Sequence, residues 1–151
     1  MFDFPVQKIR PTHAELSGEA GEAGIAIFLE PVPLPEEVTQ TRDWQEAGLE
    51  GVMDSTIRLD FIDLPTVELA ELAGRTFDFP VNPEDASIDG SIYFLAAHNP
   101  VDVSQISFGE MQGEQVPVTF ETFWNMEFER STFRDFNVTL KTVLVRTSEE
   151  E

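Results

Sequence analysis

Two stretches near the end of the chain alternate between apolar and polar residues, and this pattern constrains the fold more than any other feature. Every second residue from 118 to 128 is apolar or a threonine, in the series Val118, Phe120, Thr122, Trp124, Met126 and Phe128. The alternation returns in the series Phe136, Val138, Leu140, Thr142 and Leu144. Because successive side chains of a strand point to opposite faces, the two stretches predict an antiparallel hairpin with one buried and one solvated face.

Weaker patterns predict short strands in the rest of the chain. Ile57, Leu59 and Phe61 alternate with polar residues and are expected to face the core. The glycine-rich stretch over residues 17–24 predicts a loop. Residues 76–81 predict an edge strand, because Pro80 cannot donate a ladder hydrogen bond. Further strands are predicted over residues 6–16, 25–29, 92–97 and 101–108.

Helical signals are few, and they complete the predicted fold class. Pro35 predicts the start of a helix that ends at Gly48. Residues 65–73 fit either a helix or a strand. We therefore predict a mainly β protein, either an antiparallel β-sandwich or a partly closed barrel, with one or two short helices.

A repeated pentapeptide raises the question of internal duplication. The sequence FDFPV occupies residues 2–6 and returns at residues 77–81, and a second echo relates residues 55–58 to residues 131–134. Two readings stay open: two pseudo-symmetric halves, 1–75 and 76–147, or chance similarity in a phenylalanine-rich chain. Under both readings we predict one β-rich domain over residues 1–147 and a disordered acidic tail over residues 148–151.

The echoes also place two arginines at matching positions, Arg58 and Arg134. Each has an acid nearby in sequence, Asp60 and Asp135 respectively. We expect each arginine to form a structural ion pair with that acid, and recognition of an anion is the alternative.

Charge restricts the classes of partner. With 29 acidic and 9 basic residues, the chain has a formal net charge of −20. Such a chain is expected to repel nucleic acid and anionic membranes and to attract basic proteins. Solubility, or adaptation to a salty cytoplasm, is the alternative explanation of the charge. No apolar run has the length of a membrane span and the N-terminus lacks the pattern of a signal peptide, so we predict a cytoplasmic protein.

Sequence motifs give no support for catalysis. The chain has no cysteine, which excludes disulfides and thiolate sites. His13 and His98 lack ligand spacing, and the glycines of residues 17–24 lack the lysine of a phosphate-binding loop. The acidic loop over residues 82–90 resembles a calcium loop only in composition, and we interpret it as a solvated turn. We predict a protein that is not an enzyme and has no catalytic residues, no metal site and no cofactor.

The best candidate for a partner-binding region is the first third of the chain. Residues 15–54 contain ten acids and one base, Arg42, and an aromatic residue, Trp44, lies among them. Phe123 interrupts the polar face of its predicted strand. We predict that the residues that bind the partner are Glu36, Glu37, Asp43, Trp44, Glu46 and Phe123. The competing interpretation is that Trp44 docks a helix on the sheet and that a loop covers Phe123.

These observations favour a non-enzymatic acidic β protein that binds a basic protein, for example an immunity-like protein that neutralises a toxin. Two other hypotheses stay open. One is a self-assembling module that pairs through edge strands, for which the FDFPV sequences at residues 2–6 and 77–81 and the strand at residues 101–108 are the candidates. The other is a ligand-binding or catalytic cavity between the two halves, with His13, His98, Arg58 and Arg134 as its polar groups. The identity of the partner and the oligomeric state do not follow from the sequence.

Overall fold

A computed structural model describes residues 2–80, 88–94, 97–127 and 132–147 of the chain. Within these ranges the helices are α1 (Glu36–Thr39), α2 (Arg42–Ala47) and α3 (Leu69–Leu72). The strands are β1 (Pro11–Glu19), β2 (Glu22–Leu29), β3 (Val32–Pro33), β4 (Val52–Met53), β5 (Thr56–Ile62), β6 (Thr76–Asp78), β7 (Asp89–Phe94), β8 (Ala97–Phe108), β9 (Gln115–Trp124) and β10 (Phe136–Arg146). None of the described helices is long and apolar enough to cross a membrane. The predicted tail at residues 148–151 and the segment 82–87 of the acidic loop lie outside the described ranges.

Seven strands close into a barrel in the order β8-β7-β5-β2-β1-β10-β9, and β9 pairs back onto β8. Neighbouring strands are antiparallel except β1 and β10, which run parallel with Ala14 opposite Leu144. A ring with an odd number of strands must contain at least one parallel pair, and β1–β10 is that pair. The mainly β, partly closed barrel with short helices is therefore confirmed, with β6 added beside β8 as an eighth strand.

The β9–β10 pair confirms the predicted hairpin. Trp124 lies opposite Phe136, and Val116 lies opposite Leu144. Along β9, Val118, Phe120, Thr122 and Trp124 are all buried. Phe128, which was predicted on the same face, lies outside the described residues. The outward residues of β10 that the pattern placed in solvent are exposed, namely Asn137, Thr139 and Lys141.

The N-terminal segment covers one end of the barrel. The ring of Phe4 contacts four aromatic rings at centroid distances of 5.1–6.1 Å, those of Phe94, Trp124, Phe133 and Phe136. The Phe2 amide donates to the Thr132 carbonyl, and the Arg134 amide donates back to the Phe2 carbonyl. Phe94, Trp124 and Phe136 stand at the same end of β7, β9 and β10, so the segment closes that end with an aromatic cluster.

The segment of residues 63–75 crosses the opposite end. The Gly21 amide donates to the Leu64 carbonyl at 2.8 Å, and the Gly74 amide donates to the Phe108 carbonyl at 3.0 Å. Gly21 lies in the β1–β2 turn and Phe108 ends β8, so the segment bridges two sides of the barrel. Leu64 and Leu72 of this segment have no exposed surface. The helix within it, α3, is shorter than the helical alternative predicted for residues 65–73.

Several local predictions were wrong at turns. The segment after Pro35 forms two short helices because Thr41 is extended and its hydroxyl accepts a hydrogen bond from the Trp44 amide, which starts α2 as a cap. Gly48 ends α2 in the left-handed conformation, as predicted. The predicted loop over residues 17–24 is mostly strand, because Glu19 pairs with Glu22 across a tight two-residue turn.

Phe61 was predicted to face the core, and it faces solvent. Its backbone has φ of 59°, and 62% of the residue is exposed. The pairing of β2 with β5 shifts register at this point, so Ile62 takes the buried position instead. A bulge of this kind inserts one extra residue and so interrupts the alternation of inward and outward side chains. The local sequence pattern does not reveal such a bulge.

The pairing pattern also corrects the edge strand and ion pairs that the sequence predicted. Residues 101–108 of β8 lie between β9 on one side and, for residues 105–107, β6 on the other, so this segment is not a free edge. The edge predicted at residues 76–81 is confirmed for residues 76–78 by the terminal position of β6, and residue 81 lies outside the described residues. Arg134 pairs with Asp3 at 2.9 Å rather than with Asp135. Among the described residues Arg58 has no carboxylate within ion-pair distance. The internal duplication stays a prediction.

Candidate partner-binding surfaces

The connection between β2 and β5 is the most acidic described surface that the sequence singled out. We call residues 30–54 the acidic segment. Its only base, Arg42, bonds to Glu46 at 2.9 Å with both side chains largely exposed, a type of pair that contributes little to stability. All acids of the segment are exposed: Glu30, Glu36, Glu37, Asp43, Glu46, Glu50 and Asp54. Four of the predicted binding residues, Glu36, Glu37, Asp43 and Glu46, are therefore accessible to a partner.

Trp44, the predicted aromatic anchor, is only 5% exposed. Its indole Nε1 donates to the carbonyl of Glu50 at 3.2 Å. In this conformation the ring holds α2 and residue Glu50 in place and does not present a face to a partner. The geometry matches the competing interpretation, in which Trp44 docks a helix.

A groove of about 450 Å³ lies next to this segment, and we call it the Tyr93 groove. Its lining combines the end of the acidic segment with β7, and comprises Leu49, Glu50, Val52, Met53, Asp54, Tyr93 and Phe94. Leu49, Val52 and Tyr93 are 39%, 40% and 53% exposed. Among the described residues only two other large apolar side chains, Phe61 and Met111, are as exposed. Exposed apolar side chains gathered in one concave site are typical of interaction surfaces.

Local structure explains why these three side chains point outward. Val52 and Met53 form β4, which pairs with β3, and their side chains alternate so that Met53 is buried and Val52 is exposed. Tyr93 is the outward residue between the buried Ile92 and Phe94 on β7. Its ring makes an edge contact with the His98 ring at 5.0 Å. Sequence reasoning missed this groove because it predicted a strand over residues 92–97 without identifying Tyr93 as its outward residue.

Phe123 lines a second groove of about 460 Å³ on the outer face of β8, β9 and β10, which we call the Phe123 groove. Phe123 is half-buried and lies opposite Asp102 on one side and opposite Asn137 on the other. The full lining is Asp102, Ser104, Glu121, Thr122, Phe123, Asn137, Val138 and Thr139. Of the two alternatives stated for Phe123, accessibility in an open groove is the one that the geometry favours.

Hydrogen bonds hold the two carboxylates of the Phe123 groove in place. The Thr139 hydroxyl donates to Glu121 Oε1 at 2.6 Å. The Asn125 side-chain amide donates to Asp102 Oδ2 at 3.0 Å. The groove therefore presents a partly exposed aromatic ring with two oriented carboxylates beside it.

Three of the four polar groups predicted for a cavity lie on separate strands, and Arg134 precedes β10. His13 is on β1, where it bonds to Glu15 at 3.0 Å and stacks on Phe28 at 4.6 Å. His98 is on β8, and two strands lie between β1 and β8 in one direction around the barrel and three in the other. Arg58 is exposed on β5. Across residues 2–80, 88–94, 97–127 and 132–147, no three histidine or acidic side chains converge as a metal site would require. Asn82, Glu84 and Asp85 of the calcium-like loop lie outside these ranges.

Comparison with known proteins adds no assignment: no protein-family model, no curated protein and no solved structure matches this chain.

Proposed function

We propose that this protein binds a basic protein partner through the acidic segment and the Tyr93 groove, and that it is not an enzyme. The observation that carries the proposal is the position of the groove. Three of the five most exposed large apolar side chains among the described residues meet in it, and the acidic segment supplies five of its seven lining residues. An apolar centre with a charged rim is the arrangement found in tight protein–protein interfaces. A toxin-neutralising, immunity-like protein is the concrete form of this proposal.

The Tyr93 groove and the exposed acids around it have different roles in binding. Glu50 and Asp54 line the groove, so a lysine or arginine beside an apolar anchor of the partner meets a carboxylate. At about 4 Å such a pair interacts by about 4 kcal/mol at an effective dielectric constant of about 20, before the cost of desolvation. The exposed acids farther out act at longer range and raise the association rate, an effect that salt screens. The apolar centre governs the dissociation rate instead.

The test uses three variants and a purified partner. Basic proteins retained by the immobilised protein at about 0.1 M salt are identified, purified and measured one by one by calorimetry and stopped-flow kinetics. We expect the triple variant Leu49→Ser, Val52→Ser, Tyr93→Ser to bind at least about tenfold more weakly, which corresponds to about 1.4 kcal/mol. The double variant Glu50→Gln, Asp54→Asn is expected to associate more slowly and to show a weaker salt dependence.

Met111→Ser is the matched control, because Met111 is as exposed as Leu49 but lies away from this groove. It is expected to bind like the unmodified protein. If every retained protein binds all four forms equally and is released in about 0.5 M salt, the interaction is ion exchange and the proposal is wrong.

Self-assembly is the second candidate function, and one observation favours it. The outer edge of β6 has no partner strand among the described residues. The edge is only three residues long and carries Asp78, two features that oppose strand addition. Light scattering in low salt and in about 0.5 M salt separates the candidates. A monomer in both supports a foreign partner, whereas a stable oligomer in both supports pairing through edges and contradicts the immunity-like proposal.

A further inference from the structure

The Phe123 groove differs from the rest of the acidic surface because an aromatic ring lies between its acids. Asp102 stands opposite Phe123 on β8, and Glu121 precedes it by two residues on the same outward face of β9. On the other side, β10 contributes Asn137 and Thr139. A flat π face bounded by carboxylates attracts a cation in two ways, through the ring quadrupole and through charge-assisted hydrogen bonds.

The charge of the groove is uncompensated among the described residues. Its lining contains two carboxylates and no lysine, arginine or histidine. Neither Asp102 nor Glu121 forms an ion pair with a described cation. Each carboxylate uses one oxygen to accept a bond from a neutral neighbour, and the second oxygen accepts no bond from a described side chain. Both acids are thus oriented and still able to accept a hydrogen bond from a ligand.

Among cationic side chains, the geometry favours arginine over lysine. A guanidinium is planar, so it can stack on the Phe123 ring while its edge N–H groups reach carboxylates on both sides. A lysine ammonium is compact and strongly hydrated, and it gains less from a flat ring. An anion is excluded by the two carboxylates. We propose that the Phe123 groove binds an arginine side chain of the basic partner, an inference that rests on the proposed function.

The two grooves can contact one partner at the same time. Tyr93 lies opposite His98, and Phe123 lies opposite Asp102, so β8 separates them. Four residues along β8 span about 13 Å and two strand spacings add about 10 Å sideways, which puts the backbones of Tyr93 and Phe123 roughly 16 Å apart. An extended partner segment of about five residues covers this distance. The arginine is therefore expected about five residues from the apolar anchor in such a segment.

The test titrates the isotopically labelled protein with N-acetylarginine amide and follows the amide resonances by NMR. N-acetylcitrulline amide is the matched probe, because it has the same shape and carries no charge. We expect saturable shifts at residues of the Phe123 groove with the arginine probe, and at least tenfold weaker binding of the citrulline probe. Phe123→Leu, which keeps an apolar side chain and removes the ring, is expected to weaken arginine binding severalfold.

A pair of charge variants separates a local site from the general acidity of the chain. Asp102→Asn with Glu121→Gln removes two charges from the groove and is expected to abolish the shifts. Glu110→Gln with Glu114→Gln removes two charges from exposed acids outside the groove and is expected to leave them unchanged. The unperturbed resonances of each variant report whether its fold is intact.

Three results would overturn the inference. The first is that the shifts are spread evenly over all exposed acids, and the second is that both probes bind equally. The third is that methyl glucoside, a neutral sugar, shifts the resonances of the groove in the same way as arginine. The probe needs no partner protein, so this test and that of the proposed function fail separately. Arginine binding without any groove-dependent protein partner contradicts the proposed function alone. A partner that binds through the Tyr93 groove, without arginine binding at Phe123, contradicts this inference alone.

Discussion

The repeated pentapeptide provides a direct test of how the barrel end is stabilised. Phe4 and Phe79 occupy the same place in the two copies of FDFPV. Phe4 is 4% exposed and contacts four aromatic rings. Phe79 is half-buried against the core, and it forms no close ring-to-ring pair with another described aromatic residue. Replacing each by alanine therefore compares identical local sequences in two different environments.

We expect Phe4→Ala to lower the free energy of unfolding by about 3–4 kcal/mol, because it removes a fully buried ring and leaves a cavity among the remaining aromatic rings. The N-terminal segment can detach locally, which sets an upper limit on the cost at the free energy of docking that segment. For Phe79→Ala we expect about 1 kcal/mol, because a partly exposed side chain gains less of the transfer free energy than a fully buried one and its removal leaves an open space.

Urea unfolding followed by tryptophan fluorescence measures both values. Trp124 lies 5.9 Å from the Phe4 ring, so its emission also reports detachment of the segment before global unfolding. The reasoning is refuted if Phe4→Ala costs less than about 1 kcal/mol, or if Phe79→Ala costs as much as Phe4→Ala. Either result means that the aromatic cluster does not hold the barrel end closed.

Two further substitutions test the backbone of the barrel. Gly90→Ala is expected to lower the free energy of unfolding by more than about 2 kcal/mol, since its Cβ would lie 2.3 Å from the Val101 carbonyl oxygen. Gly24→Ala is the control, because its Cβ meets nothing closer than 3.4 Å. It should change the free energy of unfolding by less than about 1 kcal/mol. Phe61→Asn is expected to leave the free energy of unfolding unchanged or to raise it by up to about 1 kcal/mol, because asparagine tolerates positive φ. A loss of more than about 1 kcal/mol in the same assay contradicts the strained, solvent-facing geometry of Phe61.

The hairpin of β9 and β10 could be predicted from the sequence because one of its faces is buried and the other is wet. Alternation of this kind fixes which residues of a strand point inward and leaves little freedom in register. The pattern failed where the backbone departs from the regular strand, as it does at Phe61. The two-residue turn at residues 20–21 was missed because glycines on both sides of it gave the composition of a longer loop.

The grooves could not be predicted because each is assembled by strand pairing between distant parts of the chain. Val52 meets Tyr93 only because the segment after α2 leads into β5, and β5 pairs with β7. Phe123 could be singled out as an apolar residue on a polar face, but its neighbours Asp102 and Asn137 depend on the registers of β8 with β9 and of β9 with β10. Trp44 was singled out for its charged surroundings, and its burial depends on packing that the local sequence does not specify.

The composition of the chain leaves solubility and binding as two explanations of the charge, and the positions of the apolar side chains support the proposal of binding. Charge that serves solubility alone is expected to accompany a surface without apolar clusters, because exposed apolar area promotes aggregation. In this protein Leu49, Val52 and Tyr93 are exposed together beside Glu50 and Asp54. A chain that needed only solubility gains nothing from that arrangement, whereas a binding surface for a basic partner needs both of its parts. The arrangement therefore supports the proposal that a second molecule covers Leu49, Val52 and Tyr93, and the charge around them favours a basic one.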